Sequence, residues 1–181
     1  KLGINNCNLI GNDEVGGLVG FMEHHSYIFN CYSKGNVIGT DLVGGLIGDI
    51  STNSIVSKSY SSCKVTAQSF VGGLIGYTAE CLISNSFSFG DVTGNNAIGG
   101  LIGYFDEDSQ VTYAYCIGKV SGSNNAGGLI GEYFSGRISN CFWDTLTSGQ
   151  TTSAGGTGKT TAEMKTKSTF TSAGWDFDLI W

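Results

Sequence analysis

Val43-Gly-Gly-Leu-Ile-Gly48 decides how this chain folds, because it recurs. The same string runs as Val15-Gly-Gly-Leu-Val-Gly20, Val71-Gly-Gly-Leu-Ile-Gly76, Ile98-Gly-Gly-Leu-Ile-Gly103 and Ala126-Gly-Gly-Leu-Ile-Gly131. Its leucines, Leu18, Leu46, Leu74, Leu101 and Leu129, are spaced 28, 28, 27 and 28 residues apart. A second signature follows each block: Ile28-Phe-Asn-Cys-Tyr32, Val56-Ser-Lys-Ser-Tyr60, Ile83-Ser-Asn-Ser-Phe87, Val111-Thr-Tyr-Ala-Tyr115 and Ile138-Ser-Asn-Cys-Phe142. A third short piece closes four units, as in Lys64-Val65-Thr66 and Asp91-Val92-Thr93, and Asn5-Asn6-Cys7 reads as the tail of a further unit.

Each unit thus offers three short segments rich in Val, Ile, Tyr, Phe and Thr, separated by Gly, Asn and Ser turns. One such unit cannot bury its apolar side, whereas units stacked in register can. The spacing therefore predicts an all-β fold: a parallel β-helix (β-solenoid) of about five three-strand coils plus a partial first one over residues 1–142. Crossover chirality makes it right-handed. Coils ~4.8 Å apart give a rod of roughly 25 Å. Residues 143–181 break the period and are expected to cap it. There Thr160 with Glu163 forms a capping-box pattern ahead of one short helix over 162–167, and Phe170, Trp175, Phe177, Ile180 and Trp181 supply apolar area to cover the last coil.

Composition narrows the class. Of 181 residues, 29 are glycine and none proline, 13% are charged and 12% aromatic. Collagen would need proline and a glycine triplet, and disorder would need more charge and fewer aromatics. The glycines are expected to supply positive φ at corners and to permit close backbone approach. Proline would remove an amide that the next coil needs. No apolar run reaches the ~18 residues of a membrane span, so no insertion is expected of this segment. A net charge of −6 argues against nucleic acid or an anionic membrane as partner. The chain opens at Lys1 without a signal-peptide pattern and reads as a mature piece or a fragment. It contains no Asn-x-Ser/Thr sequon.

The G-G-L-[IV]-G core, with I-x-N-[SC]-[YF] and G-x-V-x-G after it, resembles the GLUG-motif repeats of bacterial and archaeal adhesin-like surface proteins. The resemblance covers roughly residues 12–142. Phe142-Trp143-Asp144, Ser148-Gly149, residues 155–165 and Gly174-Trp175-Asp176-Phe177 resemble the end-segment that closes such arrays. The resemblance implies an extracellular, surface-attached protein that displays or adheres, with a glycan or protein partner on a cell surface or with copies of itself. Metallopeptidase relatives carry an HExxH zinc helix. This chain's two histidines, His24 and His25, are adjacent, so that activity is not expected.

Residues with chemical potential are few. Ser153–Thr160 imitates a P-loop, but serine stands where the first glycine belongs, and a flexible loop entering the cap is expected. Asp106 and Asp108 are a weak calcium candidate, with Thr78, Glu80 and Ser135 on neighbouring coils. His24 and His25 have only 51–53 opposite them and read as surface residues. Cys7 and Cys31 occupy equivalent ranks one coil apart, within reach of a disulfide. Acidic residues do not recur from coil to coil, and Arg137 is the lone arginine, so a polysaccharide-cleaving enzyme is the least favoured reading. The rank Ile38, Thr66, Thr93, Ser121 is too irregular to bind ice.

The aromatic rank Tyr32, Tyr60, Phe87, Tyr115, Phe142 has two readings. Strand alternation sets it opposite Cys31, Ser59, Ser86, Ala114 and Cys141. Buried, the rings form a core ladder, which is the favoured expectation. Turned outward, they form a stripe suited to sugar rings. The function expected is a non-catalytic, cofactor-free structural or adhesive scaffold. Its alternative is a carbohydrate-binding module using Tyr32, Tyr60, Phe87 and Tyr115.

Overall fold

The structure is a computed structural model describing residues 1–181. The chain winds as a stack of coils in which every strand pair is parallel. Each coil has four faces. Face one holds Asp13–Gly16, Asp41–Gly44, Ser69–Gly72, Asn96–Gly99 and Asn124–Gly127. Face two holds Val19–Met22, Ile47–Ile50, Ile75–Ala79, Ile102–Asp106 and Ile130–Tyr133. Face three holds Tyr27–Phe29, Ile55–Ser57, Leu82–Ser84, Gln110–Thr112 and Arg137–Ser139. Face four begins with Gly3–Ile10 on Tyr32–Ile38, then divides in later coils into pairs such as Tyr60–Ser61 and Lys64–Thr66.

The leucines form a column. The Leu18 amide donates to the Leu46 carbonyl, Leu46 to Leu74, Leu74 to Leu101 and Leu101 to Leu129, at 2.8–2.9 Å. Leu46, Leu74, Leu101 and Leu129 are fully buried, and Leu18, in the first coil, half-buried. Ile47, Ile75, Ile102 and Ile130 line the next inward column. Full burial of such side chains is worth about 1.5–3 kcal/mol each, so like-on-like stacking supplies the main stabilisation of the rod. A second core of Val37, Val65, Val92 and Val120 with Val43, Val71 and Ile98 fills the space between faces one and four.

The structure revises the three-strand coil. The Gly-Gly-Leu block is a corner: face one ends at its first glycine, and face two begins after its leucine. The second signature also breaks, at Asn30, Lys58, Asn85, Tyr113 and Asn140, all at positive φ. Backbone amides at these corners find serine hydroxyls of the next coil. Cys31 donates to Ser59 Oγ and Ser59 to Ser86 Oγ, and at the corner between faces two and three Cys81 donates to Ser109 Oγ. Polar side chains are thus buried where backbone donors would otherwise be orphaned.

The repeat-block glycines serve closeness rather than left-handed φ, which among glycines falls on Gly35, Gly136, Gly149, Gly156 and Gly174. A Cβ on Gly44 would lie 1.9 Å from the Ile47 carbonyl oxygen, and one on Gly45 2.2 Å from that of Gly73. No glycine of a repeat block has positive φ. That conformation falls instead on Glu14, Leu42, Phe70, Ala97 and Asn125, at 48–56°. Each is a residue skipped by the register, since Ser69 pairs with Asn96 and Val71 with Ile98. Neighbouring coils hold these residues in a costly region of backbone space that an isolated strand would leave.

The cap also differs from expectation. It contains three short helices, α1 (Thr145–Ser148), α2 (Thr161–Met164) and α3 (Lys167–Thr171), rather than one. The capping box of Thr160 and Glu163 forms as the sequence predicts. The aromatics of residues 170–181 cover the last coil only on its flank, where Phe170 and Trp175 pack on Phe142. They fold back along the outside of face four, while residues 152–159 close the end.

Candidate functional site

The aromatic rank lies on the outside, against the favoured expectation. The corners at Lys58 and Asn85 shift the phase of alternation, and beyond them both neighbours of each ring point inward: Ser59 and Ser61 flank Tyr60, and Ser86 and Ser88 flank Phe87, all fully buried. The inner hydroxyls of Ser33 and Ser88 and the thiol of Cys116 bond to the carbonyls of Gly45, Gly100 and Gly128, tying face four to the glycine corner. That demand for a small polar side chain turns the aromatics out. Tyr32, Tyr60, Phe87 and Tyr115 are half-buried and stack at 5.1, 4.8 and 5.1 Å between ring centroids, tilted by 7–20°.

Because the rings stack on one another, their faces are occupied and solvent meets mainly edges. Gly3 packs against the ring of Tyr32 at one end. At the other, Tyr115 and Phe142 are covered by Phe170 and Trp175 from the cap. Burial pushes the Tyr115 phenol up to about 12.

Where the cap meets this ladder a cavity of about 410 Å³ opens. Its lining is mainly apolar: Tyr115 and Ile117 from the repeats, with Met164 and the rings of Phe170, Trp175, Phe177 and Trp181 from the cap. The polar members are Asp144 and Thr147 from the start of α1 and Thr161 and Lys165 from around α2. Asp144 is buried at 2% exposure, and its Oδ1 accepts from the Leu146 and Thr147 amides and the Thr161 hydroxyl at 2.9–3.2 Å. Its Oδ2 receives no hydrogen bond from the protein. The indole N–H of Trp181 is buried without an acceptor. Spacing could not reveal this cavity, because it joins ladder and cap residues in a non-repeating segment. The signal available was the crowding of aromatics after Phe170.

The remaining candidates are scattered or occupied. Asp106 accepts the Tyr77 hydroxyl on Oδ2 (2.9 Å) and the Glu107 amide on Oδ1 (2.8 Å), and Asp108 points into solvent. His24 and His25 lie exposed in a turn at positive φ, with His24 3.3 Å from Glu23. No three His, Cys, Asp or Glu side chains gather as a metal site.

Cys7 and Cys31 are not bridged. The bulge in Gly3–Ile10 places Cys7 opposite Gly35, and over that missing side chain its sulfur reaches Cys63 at 3.5 Å. All six cysteines are free thiols. Burial raises Cys63 and Cys81 to about 11 and Cys141 to about 12, which keeps them protonated and unreactive.

Ser153–Thr160 is neither a phosphate cradle nor flexible. The Ser153 hydroxyl accepts from the Leu129 and Ile130 amides, and Thr157–Lys159 pairs with Phe142–Asp144 as a further parallel strand. Contrary to the expectation of unmatched acids, Asp13 and Asp41 meet in register on face one. They border none of the cavities.

No protein-family profile matches the chain, and no solved structure matches it. A stretch of 49 residues is 51% identical to part of a protein from Evansella cellulosilytica named as a Gly-rich membrane protein. The match covers 27% of this chain and 6% of that relative's length.

Proposed function

We propose that this chain is a non-catalytic scaffold module of a secreted or cell-surface protein, a stiff rod that holds an adhesive surface away from the cell. The observation that carries the reading is the backbone hydrogen-bonded leucine column from Leu18 to Leu129. It commits the repeats to one rigid geometry and leaves no hinge at which a cleft could open and close. The outward serine, threonine and asparagine ranks give a polar surface suited to display. The match to a stretch of a protein named for a membrane fits a location at the cell surface. No helix here is long and apolar enough to cross a membrane.

An enzymatic reading has little to build on. Asp13 and Asp41 stand on an open face with no groove to hold a polymer between them. The direct experiment is labelling of intact producing cells with an antibody raised against the rod, combined with protease shaving. Surface labelling and shaving of a protease-resistant core are the expected result. Signal only after lysis overturns the reading.

A further inference from the structure

We propose that the cavity between the cap and face four binds a short neutral saccharide, with Asp144 Oδ2 accepting a sugar hydroxyl and the half-buried rings of Tyr115, Phe177 and Trp181 taking the apolar ring face. The proposal rests on the adhesive half of the reading above and supplies its contact point.

Two observations carry it. First, the cavity has a mainly apolar, aromatic lining that also carries Asp144, Thr147, Thr161 and Lys165. A sugar ring has the matching character, an apolar C–H face and a hydroxyl edge. A purely apolar ligand would leave the free oxygen of Asp144 desolvated and unmatched. Second, Asp144 is almost wholly buried with one oxygen saturated and the other unclaimed by any protein donor. Its duty as the cap of α1 needs only Oδ1. That oxygen is a free acceptor for a ligand hydroxyl at the cavity wall.

The volume of about 410 Å³ lies within the ordinary range of small-ligand sites. The ladder rings Tyr32, Tyr60 and Phe87 border no cavity and have no free carboxylate beside them, so they are the weaker platform. Lys165 at the cavity rim adds a donor for hydroxyl oxygens.

The test is a titration of the whole chain with neutral di- to tetrasaccharides of glucose, galactose, mannose and N-acetylglucosamine, read by tryptophan fluorescence and calorimetry. At least one series should bind saturably in the micromolar to millimolar range. Asp144→Asn keeps an N-cap acceptor but replaces Oδ2 by a donor. It should weaken binding about tenfold or more at an unchanged melting temperature. Trp181→Ala should do the same, and Tyr60→Ala on the ladder should not.

The proposal is overturned if no saccharide binds, if both cavity variants bind like the parent chain, or if only Tyr60→Ala loses binding. Binding of an apolar dye without any saccharide also overturns it, in favour of an apolar occupant. The rod's circular dichroism and antibody accessibility are read separately, so a failed cavity leaves the scaffold reading standing.

Discussion

The two ends of the rod carry the same repeat and meet solvent differently. At the C-terminal end, the Gly128 amide donates to the Thr152 carbonyl, and the Leu129 and Ile130 amides share the Ser153 hydroxyl. Ala154 donates back to Ile130, and Gly155 and Gly156 lie against Ile138 and Leu129. At the N-terminal end, Asp13–Gly16, Val19–Met22 and Tyr27–Phe29 each have one strand neighbour, and only face four is covered. Leu18, Val15 and Val19 are half-buried there, and Tyr27 is 70% exposed. A stack of identical coils does not close itself. Closure comes from a short non-repeating segment that supplies acceptors in place of a next coil, and an edge without one is a template for pairing.

The largest expected effect comes from removing that closure. Deleting residues 143–181 bares the last coil as well as the flank, so the chain should associate end to end in light scattering. Deleting only residues 160–181 leaves Ser153 and Thr157–Lys159 in place and bares only the flank. It should stay monomeric while gaining dye binding to the uncovered Tyr115 and Phe142. If both deletions associate alike, the aromatics rather than residues 152–159 are the seal.

Single substitutions at equivalent motif positions sharpen the contrast. Leu129→Asp puts an unpaired charge in a fully buried column and should cost at least about 4 kcal/mol or prevent folding. Leu18→Asp, half-buried at the open end, should cost about 1–2 kcal/mol, both read from urea denaturation followed by circular dichroism. Equal costs would mean that the first coil is as well packed as the last.

Ser153→Ala comes next. Two amides lose their acceptor, for about 2–3 kcal/mol, and hydrogen exchange at Leu129 and Ile130 should quicken while Leu46 stays protected.

This contrast also separates what a reader of the sequence can and cannot find. The column of leucines was legible because a fixed period admits few ways to bury one apolar residue per unit. The capping box was legible because Thr160 and Glu163 carry their own local hydrogen bonds. The placement of Tyr60 and Phe87 was not, since alternation counts side chains along a continuous strand and these strands break at Lys58 and Asn85. The role of Ser153 was hidden by its likeness to a glycine-rich loop, and nothing local shows that its hydroxyl meets amides more than twenty residues away. The cavity was least legible, because Asp144, Trp175 and Trp181 meet through the folding back of an aperiodic tail.

The smallest effect belongs to Asp49, one coil in from the open end. It lies in register between Phe21 and Tyr77 on face two, with Oδ1 buried and unpartnered. Burial, then the charges of Glu14 and Glu23, raises its carboxyl from 3.8 to about 6. Between those values the folded chain keeps a proton that the unfolded chain releases. Stability therefore falls as pH rises from about 4 to about 6 and stays lower above that. The carboxyl keeps some contact with water, so the loss is discounted to about 1 kcal/mol. Asp49→Asn removes the ionisation. It should match the parent near pH 4 and exceed it by about 1 kcal/mol at pH 7, measured as urea midpoints across that range. Parallel profiles for the two proteins would show that the open end already solvates this carboxylate, and that the edge is looser than its register implies.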